Sequence, residues 1–108
     1  MDLESTKLGS SLIMTVKGRM DAVTAPAFQA ESNTWIENDE KTVVVDLSGL
    51  EYISSAGLRA LLFAAKALKA NQGEIRFCNL TGMVQEVFSI SGFSSMFTVY
   101  ETREEALA

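Results

Sequence analysis

The sequence contains no histidine and a single cysteine, Cys78, and both shortages exclude kinds of chemistry. A Ser-His-Asp or Cys-His nucleophilic site uses an imidazole as its base, and imidazole is also a common metal ligand. A single cysteine cannot form an intramolecular disulfide, which favours a reducing compartment. The apolar neighbours Phe77 and Leu80 predict that Cys78 is a core residue. We therefore expect neither an enzyme nor a metal site.

Basic clusters and long apolar runs are also missing. The chain has 9 basic and 14 acidic residues and a net charge of -5, with no local concentration of lysine or arginine. Binding to nucleic acid or to an anionic membrane depends on neutralising phosphates, so neither is expected. The longest apolar stretch, residues 58–68, is interrupted by Arg59 and Lys66 and is too short to span a bilayer. Because Asp2 and Glu4 open the chain in place of a signal peptide, we expect a cytoplasmic protein without membrane insertion.

What the sequence does contain fits one compact domain over residues 1–108. Hydrophobic residues make up 47% of the chain and charged residues 21%, which is ordinary for a globular protein. A chain of 108 residues buries enough surface for a cooperative core. One proline and seven glycines exclude a low-complexity sequence.

Strand and helix patterns alternate along the chain. They predict strands near residues 3–8, 12–18, 42–46, 74–78 and 96–100, and helices near residues 24–38, 56–70, 81–91 and 102–107. The continuous β-branched run at 42–46 indicates a strand buried on both faces. The predicted fold class is therefore α/β, with a mixed, mostly parallel β-sheet of about five strands and about four α-helices. The opening pair of strands allows one antiparallel edge.

The most amphipathic predicted helix begins directly after two serines, Ser54 and Ser55. Either hydroxyl could cap the helix, whose first N–H groups lack partners and lie at the positive end of its dipole. A phosphate on either one would meet the same donors, and the small Ala56 and Gly57 would let a partner approach. Plain capping is the commoner role of such a serine, so both interpretations stay open here. A hydrolase nucleophile elbow is excluded, because Ile53 replaces the required glycine and no histidine is present.

Residues 46–62, Asp-Leu-Ser-Gly-Leu-Glu-Tyr-Ile-Ser-Ser-Ala-Gly-Leu-Arg-Ala-Leu-Leu, resemble the signature of STAS domains of the anti-sigma factor antagonist type. Three further segments agree with that family in order and spacing: Gly-Arg-Met-Asp at 18–21, Ile-Ser-Gly-Phe at 90–93, and residues 97–107. The resemblance covers essentially the whole chain and implies the STAS fold.

The resemblance also implies a set of site residues. The second position of the family's Ser-Ser-Ala-Gly tetrad is its phosphoacceptor, which is Ser55 here, while Ser54 stands where many members have aspartate. The residues expected to contact a partner around it are Met20, Asp21, Ser54, Gly57 and Arg59. Two of these have equally good structural explanations, since Asp21 could cap its own turn and Arg59 could be a solubilising charge.

The function that the resemblance implies is partner switching. Unphosphorylated, the domain would bind an anti-sigma factor that is itself a serine kinase of the histidine-kinase-like ATPase superfamily, and so free a sigma factor. Phosphorylation of Ser55 would release the domain, a serine phosphatase would reset it, and no cofactor would be needed. The alternative is a STAS subunit of a scaffold or of a lipid-transport ATPase complex, without a phosphorylation switch. A nucleotide-binding module is less well supported, because the chain has neither a P-loop nor a Gly-x-Gly-x-x-Gly motif.

Overall fold

The computed structural model describes residues 1–108 and contains five strands and five helices. In chain order the elements are β1 (Asp2–Leu8), β2 (Ser11–Met20), α1 (Ala25–Glu37), β3 (Thr42–Ile53), α2 (Ser55–Ala70), β4 (Glu74–Cys78), α3 (Gly82–Ser91), α4 (Phe93–Met96), β5 (Thr98–Tyr100) and α5 (Arg103–Leu107). A membrane-spanning segment requires a longer and more continuously apolar helix than any of these.

The five strands form one sheet in the order β1-β2-β3-β4-β5. β1 pairs with β2 in the antiparallel sense, and the remaining three pairs are parallel. Each parallel connection passes through at least one helix, as parallel pairing requires. The mixed, mostly parallel α/β fold predicted from the sequence is confirmed, and α4 is one helix more than the predicted four.

The two faces of the sheet are covered unequally. Helices α1 to α4 pack on one face around the main core, whose largest fully buried side chains include Trp35, Phe28, Phe77 and Phe88. The short α5 covers part of the other face, where a smaller cluster joins the buried side chains of Ile13, Val44, Cys78 and Ala106. The run at 43–46 is buried throughout, as its lack of polar alternation predicted.

Three predicted boundaries were wrong. β2 continues past its predicted end at Gly18 to Met20, because residues 18–20 still pair with β3. β3 extends from the predicted end at residue 46 to Ile53, because its second half, in which polar and buried apolar residues are mixed, still pairs with the end of β2. The last strand begins at Thr98 and not at Met96, because residues 93–96 form a short helix that buries Phe93.

Asp46 anchors α5 to the sheet and is only 4% exposed. Its Oδ2 accepts hydrogen bonds from Arg103 Nη2 at 2.9 Å and Nε at 3.1 Å, and from Asn79 Nδ2 at 3.2 Å. Its Oδ1 accepts one from the Ser48 backbone N–H at 2.9 Å. Burial opposes the charged form, but the bonds from Ser48, Arg103 and Asn79 prevail and hold the pKa of Asp46 below its ordinary value. The carboxylate thus joins β3, α5 and the end of β4.

Candidate functional site

The junction between β3 and α2 places the two serines in different roles. Ser54 has extended backbone geometry and is the N-cap of α2, and its Oγ accepts a hydrogen bond from the Gly57 backbone N–H at 3.3 Å. Its own backbone N–H donates to the Met20 carbonyl oxygen at 2.9 Å, which ties the start of α2 to the end of β2. Capping, which the sequence left open between the two serines, therefore belongs to Ser54.

Ser55 is the first residue of α2 and is exposed. Its hydroxyl takes no part in the capping bond, so the helix does not depend on it. The first N–H groups of a helix have no acceptor within it, and the dipole is positive at this end. The structure therefore presents a free hydroxyl at a position that favours negative charge.

This division of roles predicts different costs for removing each hydroxyl. We expect Ser54→Ala to lower the free energy of unfolding by about 1 kcal/mol, because a helix cap is lost. Ser55→Ala should change it by less than about 0.5 kcal/mol, as for an exposed side chain without partners. Urea denaturation followed by circular dichroism measures both. Equal losses in the two variants would show that the Ser55 hydroxyl shares in the cap.

Two residues expected to contact a partner lie beneath the serines instead. The Met20 side chain is fully buried, Gly57 is buried, and Ile53 beside them is 2% exposed. A Cβ added to Gly57 would lie 2.7 Å from both Ile53 Cγ1 and the Met20 carbonyl oxygen, closer than such atoms can pack. We therefore revise the expected role of Met20 and Gly57 from partner contact to support of the first turn of α2.

Asp21 organises the turn that joins β2 to α1. Its Oδ1 accepts hydrogen bonds from the backbone N–H groups of Val23 at 3.0 Å and Thr24 at 3.1 Å. The Thr24 hydroxyl accepts from the Asp21 N–H at 2.9 Å and donates to the Arg19 carbonyl at 2.7 Å. The bonds that its carboxylate accepts, first the one from the Thr24 backbone and then the one from the Val23 backbone, hold the pKa of Asp21 below its ordinary value. The structure thus shows Asp21 capping its own turn, and its contact with a partner stays a prediction.

The exposed side chains around the serines come from two elements. The Asp21 turn presents Val23, which is 86% exposed although apolar. Arg59 comes four residues after Ser55, so both side chains lie on the same face of α2. Arg59 is exposed and pairs with no carboxylate. The turn starts one residue after Met20, whose carbonyl oxygen accepts the Ser54 N–H. The Asp21 turn and the start of α2 therefore leave the sheet at the same edge. We call Val23, Ser54, Ser55 and Arg59 the switch surface.

The remaining reactive group, Cys78, is the last residue of β4 and lies in the small cluster that α5 covers. Its side chain is fully buried, and burial raises the pKa of the thiol to about 11, with a further contribution from the charge of Asp46. A thiol with this pKa stays protonated and is a poor nucleophile at neutral pH. The prediction that Cys78 is a core residue is confirmed. Nowhere do three or more cysteine, aspartate or glutamate side chains come together in a group that could hold a metal ion.

Comparison with known proteins identifies the family. The family model described as STAS domain matches residues 2–106, so the chain belongs to the STAS-domain family. Within it, the chain is 44% identical over 108 residues to a candidate anti-sigma factor antagonist, BtrV of Bordetella bronchiseptica, covering 100% of this chain and 93% of that protein. The predicted resemblance to STAS domains of the anti-sigma factor antagonist type is confirmed.

Solved structures share the fold. An anti-sigma factor antagonist from Mycobacterium paratuberculosis superposes with a TM-score of 0.88 at 24% identity, covering 98% of this chain and 90% of that one. The phosphorylated form of the Bacillus cell fate determinant SpoIIAA gives a TM-score of 0.75 at 20% identity, covering 98% of this chain and 96% of that one.

Proposed function

We propose that this protein is a cytoplasmic anti-sigma factor antagonist that changes partner according to the phosphorylation of Ser55. In the unphosphorylated state it binds an anti-sigma factor that is a serine kinase of the histidine-kinase-like ATPase superfamily, and phosphorylation releases it. A serine phosphatase restores the binding state. The observation that carries the proposal is the separation of roles between Ser54, which caps α2, and Ser55, whose hydroxyl is exposed and uncommitted.

The start of α2 can hold a phosphate without rearrangement. A phosphate on Ser55 would lie beside the free N–H groups of the first turn and at the positive end of the helix dipole. Arg59, four residues later on the same face, has no carboxylate partner and could pair with it. The fold beneath would stay unchanged, because Met20 and Gly57 pack the first turn tightly against the sheet.

The energy needed for switching is within what the loss of one contact can supply. The modification adds about -1.5 to -2 charges in the middle of the switch surface. A 100-fold loss of affinity corresponds to about 2.7 kcal/mol, which the loss of one well-placed contact can account for. The precedent is SpoIIAA, a protein of the same fold that has been solved in an unphosphorylated and a phosphorylated form. The domain acts as a ligand of the kinase and performs no chemistry itself.

Intact-mass spectrometry tests the proposal most directly. The purified protein is incubated with its candidate kinase and ATP-Mg beside Ser55→Ala and Ser54→Ala variants. We expect one added phosphate on the wild type and on Ser54→Ala, and none on Ser55→Ala.

Two results would contradict the proposal. A phosphate that disappears only in Ser54→Ala would move the acceptor by one position. An unmodified wild type beside a kinase that is active on another substrate would favour the alternative, a STAS subunit of a scaffold or transport complex.

A further inference from the structure

A groove lies beside α2, away from the switch surface. It runs between the C-terminal half of α2 and the edge of the sheet at β4 and β5, and its volume is about 390 Å³. The residues that matter to its chemistry are Leu62, Lys66, Lys69, Ile75, Met96 and Phe97. We call these six residues the α2–β5 groove.

The charge on this side of α2 is unbalanced. Four of the nine basic residues pair with carboxylates, and none of those four lies on α2. Lys66 and Lys69 have no ion pair, and α2 contains no acidic residue at all. Lys69 lies in the last turn, where a cation stabilises the helix dipole, but Lys66 lies before that turn and has no such role. Glu74 is the one acidic residue that lines the groove, and its carboxylate pairs with Arg76. In a protein of net charge -5, Lys66 and Lys69 therefore form a local positive surface without an ion-pair partner.

The floor of the groove is apolar and partly uncovered. Met96 is 58% exposed, while Leu62 and Phe97 are half-buried and pack against the core. Methionine is flexible and polarisable, and such side chains adapt well to a bound apolar segment. An apolar floor beside two free cations is complementary to a segment that carries apolar side chains on one face and carboxylates next to them.

We propose that the α2–β5 groove docks an acidic amphipathic helix of a partner protein. The apolar face of that helix would contact Leu62, Met96 and Phe97, and its carboxylates would pair with Lys66 and Lys69. Leu62 and Lys69 are seven residues apart on α2, about 10 Å, which matches two turns of a docked helix.

This surface is independent of the phosphorylation state. Lys66 lies eleven residues after Ser55 on α2, about 16 Å along the helix axis. The Debye length at physiological ionic strength is about 8 Å, so a phosphate on Ser55 acts only weakly at that distance. A partner held in the groove would therefore stay bound while the switch surface changes partner. The inference does not rest on the proposed function.

Methionine-methyl NMR can test the groove with a synthetic peptide. The probe is an acidic helical peptide of roughly 14 residues, the length at which isolated helices begin to form, with leucine and glutamate at helical spacing. We expect a saturable shift of the Met96 methyl resonance and no shift of the buried Met14 and Met20. Lys66→Glu should weaken binding roughly tenfold, because an attractive charge pair becomes repulsive. Ser55→Glu should leave the affinity within about twofold, because of the screening distance.

A matched control separates this site from general charge attraction. Lys17→Glu makes the same change at an exposed lysine outside the groove and should bind the peptide like the wild type. Equal binding of a peptide with lysine in place of glutamate, or equal loss in Lys17→Glu, would overturn the proposal. A Met96 shift that depends on protein concentration alone, with a doubled mass in sedimentation, would also overturn it and assign the groove to self-association.

Discussion

Replacing Gly57 with alanine should destabilise the protein by about 2 kcal/mol, although alanine is the better helix former. Alanine gains about 1 kcal/mol over glycine inside a helix, whereas forcing an extra carbon into a packed core costs about 1–3 kcal/mol. Here the new Cβ would meet the Met20 carbonyl oxygen and Ile53 Cγ1 at 2.7 Å. The oxygen is backbone and already accepts the Ser54 N–H, so relieving the contact also weakens a hydrogen bond worth about 1 kcal/mol. The clash therefore outweighs the helix propensity.

Gly49→Ala is the matched control for this prediction. A Cβ there would lie 2.6 Å from Lys17 Cγ, a contact as short as those of Gly57 but made with an exposed, flexible side chain. Because Lys17 Cγ can rotate away and Lys17 Cβ, at 3.2 Å, needs to move by only a few tenths of an ångström, we expect a cost below about 1 kcal/mol. Urea denaturation measures the free energy of unfolding of both variants. A Gly57→Ala protein as stable as the wild type would show that the start of α2 is not held rigidly. We also expect Gly57→Ala to be phosphorylated more slowly, because Ser55 is displaced.

Replacing Asp46 with asparagine should cost about 2–3 kcal/mol, the range for losing hydrogen bonds to a buried charged group. The variant keeps the shape of the side chain but leaves Arg103 without its carboxylate, so α5 should loosen from the sheet. Urea denaturation measures the cost, and faster amide hydrogen exchange in α5 would locate it. Asp39→Asn is the control, because Asp39 pairs with Lys41 at the surface and such pairs contribute at most about 1 kcal/mol.

The cost of Asp46→Asn should also depend on pH. The pKa of Asp46 in the folded protein lies below the ordinary value of 3.8, so between those two values the unfolded chain binds more protons than the folded one. The stabilisation is therefore complete above pH 3.8 and is lost as the pH falls through the folded-state pKa. The wild type and the variant should converge in acid. A difference between them that stays constant down to the acid limit would mean that the carboxylate charge does not contribute.

Local patterns predicted the order of the elements well, and contacts between distant residues account for what they missed. The polar residues after Asp46 broke the β-branched pattern, so nothing in residues 47–53 indicated that pairing with β2 continues to Ile53. Asp46 and Arg103 lie 57 residues apart, and no local signal connects them. The choice between Ser54 and Ser55 as the cap depended on backbone geometry that two adjacent serines cannot reveal. The sequence predicted Gly57 as a partner contact, and its packing against Met20 and Ile53 became visible only in the folded chain.

The arrangement of a packed support below an exposed hydroxyl bears on how such domains diverge after gene duplication. Two copies in one cell would suffer cross-talk unless each kinase distinguished its own substrate. Substitutions at exposed positions such as Val23 and Arg59 change stability by less than about 0.5 kcal/mol, so they can alter recognition without harm to the fold. Substitutions at Met20 or Gly57 would disturb the support itself. We therefore expect duplicated copies to acquire separate pathways through changes in the switch surface, while Met20 and Gly57 beneath it stay the same.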